Sequence, residues 1–138
     1  MSAAERFRAA VESWDLEGMV ALLAPEVRLH SPAKFRPLEG REAVRQLFIA
    51  LSQVFEDFHY VHQLRGDRPQ SPESVHGLVF RARVGDKQIE GLDLLEVGEE
   101  GLITDLTVMI RPISGLLAVA EGVNARLSSA TPAGGAGQ

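Results

Sequence analysis

The spacing of apolar residues changes once along this chain, between Leu51 and Phe58, and that change limits the fold more than any other feature. Before it, apolar side chains recur three or four apart: Phe7, Val11 and Trp14, then Leu16, Val20 and Leu23, then Val44, Leu47, Phe48 and Leu51. That is the period of an amphipathic helix. After it, Phe58, Tyr60, His62 and Leu64 alternate with His59, Val61, Gln63 and Arg65. Residues 74–84, 88–97 and 102–111 read as three more strands. Three helices followed by an antiparallel meander is an α+β order, with the apolar helix stripes covering one face of the sheet.

The punctuation agrees. Ser2 and Glu5 form a capping-box pattern, and Asp15 is placed to cap the second helix, with Pro25 beyond its end. Val27 to Ser31 reads as a short strand that Pro32 terminates, and Gly40 opens the third helix. A polar loop is expected from Gly66 to Glu73. Pro112 stops the sheet, and Leu116, Ala120, Val123 and Leu127 suggest a closing helix. The Ala/Gly/Ser-rich stretch from Ser128 to Gln138 reads as a disordered tail, leaving one domain over residues 1–127.

Composition narrows the function classes. A net charge of −5 argues against a nucleic-acid partner, which needs a basic face. With no Cys, disulfides and thiol chemistry are excluded. No apolar run approaches the ~20 residues of a membrane span, and Ser-Ala-Ala-Glu at the start is not a signal-peptide core. A cytoplasmic protein without a membrane partner is the expectation. Neither metal-ligand spacing nor a phosphate-binding Gly-rich loop is present, so no metal and no cofactor are expected.

Two turns set a register. If Gly85-Asp86 is a two-residue hairpin loop, Val84 pairs with Lys87, and Phe80, Leu78 and His76 face Gly91, Asp93 and Leu95. If Val97 pairs with Leu102, Asp93 faces Leu106 and Gly91 faces Val108. One face then carries Leu78, Phe80, Ala82, Ile89, Leu95, Leu106, Val108 and Ile110, with Asp93 alone among them. A carboxyl so placed should have a raised pKa, with His76 and Thr104 as diagonal neighbours. The opposite face carries Val79, Leu92, Leu94, Ile103, Thr107 and Met109. That is more apolar than a solvated sheet face should be, and it predicts a homodimer.

Several stretches carry a resemblance. Arg6-Phe7 through Trp14-Asp15-Leu16-Glu17, then Ala24-Pro25-Glu26-Val27-Arg28-Leu29-His30-Ser31-Pro32 and Leu38-Glu39-Gly40-Arg41-Glu42-Ala43, resemble the first half of SnoaL-like and ketosteroid isomerase proteins. Ile89 to Val97 with Gly101-Leu102-Ile103 resemble their second half. The resemblance implies the cystatin-like or nuclear transport factor 2-like cone, in which N-terminal helices pack on a curved, mainly antiparallel sheet around a pocket. It implies pairing through the outer sheet face as well. Ketosteroid isomerases move a proton with one Asp and stabilise the oxyanion with a Tyr and a protonated Asp, the latter a worked example of a carboxyl kept neutral by its site. Asp93 falls at the oxyanion position. Ser31 falls at the base position and Phe7 at the Tyr position, so that mechanism is not expected here.

Asp93 and His76 are therefore the catalytic candidates. Phe7, Trp14, Ser31, Tyr60 and His62 are candidate ligand contacts, as are Leu78, Phe80, Leu106, Val108 and Ile110. His30 is expected to turn away from Ser31, and His59 to sit on a solvated edge. The expected ligand is a small apolar molecule of polyketide, terpenoid or steroid type. Isomerase- or cyclase-like acid–base chemistry through Asp93 stands beside two alternatives, a binding protein without chemistry and a structural dimer module.

Overall fold

A computed structural model of the chain describes residues 2–68 and 71–130. Helix α1 (Ala3–Glu12) starts in the expected capping box: Ser2 Oγ accepts from Glu5 N at 3.1 Å and Glu5 Oε1 accepts from Ser2 N at 2.9 Å. Helix α2 (Leu16–Ala21) is capped by Asp15, which accepts from Gly18 N at 3.1 Å. Strand β1 (Leu23–His30) follows at once, earlier than the sequence pattern indicates. Leu23 is fully buried as a strand residue, not as the last turn of the helix. Pro25 lies where the ladder from β1 is interrupted, between Leu23 and Arg28, because proline has no amide to donate. Arg41 donates to Leu23 O at 2.8 and 2.6 Å beside this gap.

A two-residue strand β2 (Leu38–Glu39), helix α3 (Arg41–Val54) and strands β3 (Glu56–Arg68), β4 (Ser71–Val84), β5 (Lys87–Val97) and β6 (Ile103–Arg111) complete the sheet. Its order is β2-β1-β6-β5-β4-β3. Only the β1–β6 pair is parallel. The strands β3 and β4 run further than expected and take up most of the anticipated loop, of which residues 69–70 lie outside the described ones. Helix α4 (Ile113–Ala130) runs past the expected boundary at Leu127, and the rest of the anticipated tail, residues 131–138, also lies outside.

The β4–β5 register is the expected one, with Val84 opposite Lys87 and Leu78 opposite Asp93. The β5–β6 register is not. Asp93 pairs with Val108, Gly91 with Ile110 and Leu95 with Leu106, two residues from expectation. Two one-residue displacements combine to give this. Val97 pairs with Ile103 and not Leu102, and Thr104 is then an extra residue before Asp105 pairs with Glu96. A slip of two preserves the face, because side chains alternate with period 2. The bulge also turns Ile103 inward, where it is fully buried instead of lying on the outer face.

Helix α4 packs on the inner face with the others. A Cβ on Gly115 would collide with the Ile89 side chain, and one on Gly122 would lie 3.0 Å from Val54 of α3. So α4 does not fold over the outer face, and four helices share one side of the sheet.

Candidate functional site

The inner face and the helices enclose a cavity of about 180 Å³. Of six Phe, one Tyr and one Trp, seven line it, and the eighth, Phe35, is fully exposed on the loop at its mouth. Phe58 stacks on Phe80 with centroids 4.7 Å apart and meets Tyr60 edge to face at 5.1 Å. Phe80 can lie flat there because its partner Gly91 is bare; a Cβ at Gly91 would fall on the Phe80 ring and 2.8 Å from Met109 O.

Trp14 reaches the cavity by an unfavourable backbone. Its φ is 51°, the left-handed region in which a non-glycine residue costs roughly 1–2 kcal/mol. It closes α1 as a Schellman turn, with Trp14 N donating to Val11 O at 2.9 Å and Asp15 N to Ala10 O at 2.8 Å. A glycine would serve the turn better, but it would not put an indole against Phe58, 5.6 Å between centroids.

Asp93 is the cavity's one carboxyl, 8% exposed, on the central part of β5. Tyr60 donates its hydroxyl to Asp93 Oδ2 at 2.7 Å. Burial raises the Asp93 pKa from 3.8 to about 7, with the Tyr60 hydrogen bond pulling weakly the other way. Burial, and then the neighbouring Asp93 charge, hold the Tyr60 phenol well above its ordinary range. The phenol is therefore a fixed donor, and Asp93 is the group that changes charge near neutrality.

The sequence had offered His76 as the partner of Asp93. His76 is buried at 6% exposure, but it does not line the cavity, and its Nδ1 has no hydrogen-bond partner among the described residues. Thr104, displaced by the bulge, donates instead to Glu96 O at 3.3 Å. His62 was expected to share the inward face of Tyr60 but is exposed. Val61 is an extra residue between the Tyr60–Phe80 and His62–Val79 pairs, and the parity flips there. Leu78 is wholly buried behind the cavity wall and does not line it. The remaining expected contacts do line it: Phe7, Trp14, Ser31, Tyr60, Phe80, Leu106, Val108 and Ile110.

Ser31 follows His30, whose partner is Thr107, so it stands at the level of Val108. Two strand spacings put it roughly 10 Å from Asp93. Its hydroxyl accepts from Ala33 N and Lys34 N, both at 3.3 Å, and so shapes the loop at the mouth. His30 turns to the outer face, 3.2 Å from Asp105. Helical periodicity marked Leu116 and Val123 as part of the closing helix's stripe but not as cavity residues, and Val119 lines the cavity with them; Lys34 and Arg36 also line it and belong to no periodic pattern. An irregular loop has no period to read.

A curved sheet holding an apolar cavity under N-terminal helices defines the nuclear transport factor 2-like class. The model of the SnoaL-like domain family matches residues 4–106, and the chain belongs to that family. It is similar to a solved steroid delta-isomerase from Pseudomonas aeruginosa, with 33% identity, a TM-score of 0.85 and coverage of 93% of this chain and 90% of that one. It is also similar to an uncharacterised cystatin-like-fold protein from Silicibacter pomeroyi, with 29% identity, a TM-score of 0.83 and coverage of 92% and 86%. An NTF2-like protein from Burkholderia xenovorans shares the fold at 18% identity and a TM-score of 0.62, covering 88% and 92%. No curated protein sequence matches the chain.

Proposed function

We propose that the cavity binds a small apolar molecule bearing one oxygen function, such as a ketone of polyketide, terpenoid or steroid type, and that Asp93 transfers a proton to that oxygen. The observation that carries this is the Tyr60–Asp93 hydrogen bond inside an aromatic wall. A carboxyl with a pKa of about 7 is partly protonated at neutral pH and so is matched to general-acid work. When it gives up its proton, the Tyr60 bond changes from neutral to charge-assisted and strengthens. That gain arises only as charge develops, which is the condition for accelerating the step. Phe7 and Ser31 offer no phenol and no base, so the double-bond shift of ketosteroid isomerases is not the chemistry proposed, despite the likeness to a steroid delta-isomerase. Isomerase- or cyclase-type acid catalysis is.

Binding without catalysis is the second reading, favoured by one observation: the Ser31 hydroxyl is engaged by two loop amides, and the described lining holds no second carboxyl or imidazole to work with Asp93. A further proposal concerns assembly. The apolar outer face is left bare by all four helices, which supports a homodimer formed through it.

Trp14, the chain's one tryptophan, lines the cavity and provides the readout. Titration with the monocyclic enone carvone should quench its fluorescence saturably, and Asp93→Leu should weaken binding at least about fivefold, the value of one buried hydrogen bond. Unchanged affinity in Asp93→Leu would remove Asp93 from ligand recognition. The wild type should not isomerise a 5-ene-3-ketosteroid; Asp93-dependent turnover of that substrate would overturn the argument from Ser31 and Phe7.

A further inference from the structure

The charged residues lining the cavity are three: Asp93 on the inner wall, and Lys34 and Arg36 on the loop between β1 and β2. We infer that the mouth selects a ligand carrying an anionic group, a carboxylate foremost, on the end remote from Asp93, with Arg36 and Lys34 receiving it. The inference rests on the proposed binding of an apolar molecule in the cavity and adds the chemistry of its outer end.

Four observations lead there. The cavity, about 180 Å³, is close in size to one that holds a benzene ring. A ligand larger than one ring must therefore extend toward the mouth. The chain as a whole is acidic, at −5, yet among the described residues lining the cavity the mouth loop contributes two cations and no carboxylate. The loop is also built rather than slack: the Ser31 hydroxyl ties down the amides of Ala33 and Lys34, and Pro32 and Pro37 bracket the segment with fixed φ. Finally, Lys34 and Arg36 both line the cavity, while Phe35 between them is fully exposed. A neutral ligand gains nothing from this arrangement. A carboxylate gains a charge-assisted contact with the Arg36 guanidinium, whose fork matches it, in the positive field that Lys34 adds.

The probes are 5-phenylpentanoate and 5-phenylpentan-1-ol, which share a ring and chain and differ in the terminal charge. Each is titrated against Trp14 fluorescence at low salt. The acid should bind about three- to tenfold tighter than the alcohol, as expected for partly exposed ion pairs, and the preference should shrink in 0.5 M salt. Lys34→Gln with Arg36→Gln should narrow the acid-over-alcohol ratio to within about twofold. Both residues are exposed, so folding is preserved, and circular dichroism checks this. Equal affinity of the wild type for the two probes, or a preference that survives the double substitution, would overturn the inference while leaving cavity binding intact. If neither probe perturbs Trp14, the cavity-binding reading fails and this inference fails with it.

Discussion

The two faces of the sheet are both apolar and have opposite fates. On the inner face Leu78, Leu95 and Leu106 are sealed under helices, and the single acid among them meets a tyrosine. On the outer face Val79, Leu92 and Met109 form one row across β4, β5 and β6, and Leu64, Gly77, Leu94 and Thr107 form the next across β3 to β6. Among the described residues no helix covers them, and Met109 is 52% exposed. Charged rows bound this band. Glu90 pairs with Arg81 at 3.3 Å and Arg111 at 3.2 Å on one side, and Arg28 meets Asp105 at 3.0 Å on the other. Both faces exclude charge from their centres, then, but only the inner one tolerates a buried acid, because only there does a neighbouring donor hold it. Alternation of polar and apolar residues does not tell such faces apart. The placement of the helices does.

The largest effect expected from this contrast is electrostatic. Folded Asp93 keeps its proton up to about pH 7, whereas the unfolded chain releases it near 3.8. Between those values the native state binds more protons, so the Asp93 contribution to stability is intact below pH 4, declines as pH rises to about 7 and is level beyond. Asp93→Asn removes that loss. It should stabilise the protein at pH 8 by as much as roughly 4 kcal/mol and have little effect at pH 4. Urea denaturation at the two pH values measures the difference. An equal effect at both would mean that burial does not penalise the Asp93 charge.

Packing comes next. Leu95→Ala, on the sealed face, should cost about 3 kcal/mol, while Leu94→Ala, its half-buried neighbour on the bare face, should cost under about 1 kcal/mol in dilute solution. Similar losses for both at low protein concentration would mean that the outer face is covered within a single chain.

How far these faces were legible beforehand depended on the turns. The two-residue loop at Gly85-Asp86 sets the β4–β5 register, and nothing in that hairpin departs from it. The second hairpin carries a displaced turn and a bulge at Thr104, neither of which leaves a mark in hydrophobicity. Because the two displacements sum to an even number, Asp93 still falls on the correct face, while Thr104 and Ile103 do not. In β3 the register shift at Val61 falls between two residues expected to share a face, so Tyr60 was legible as inward and His62 was misplaced. The Tyr60–Asp93 pair joins residues 33 apart on strands that are not neighbours, β3 and β5, and a pairwise register does not reveal such a contact. Ala24-Pro25 reads as a helix stop, which hid the first half of β1.

The smallest stability effect should come from the outer band. Leu92→Arg with Leu94→Glu leaves the inner face untouched and should halve the mass seen by light scattering, with a stability change in the monomer of under about 1 kcal/mol. A mass near 15 kDa for wild type and variant alike would rule out pairing through this face.

The difference between the faces depends on one buried acid, and its titration is the direct test. Carbon-13 NMR of the Asp93 carboxyl should give a midpoint of about 7, and Tyr60→Phe should move it higher, because the phenol's hydrogen bond favours the charged form. A wild-type midpoint near 4, unmoved by Tyr60→Phe, would contradict both the apolar setting of Asp93 and its bond to Tyr60.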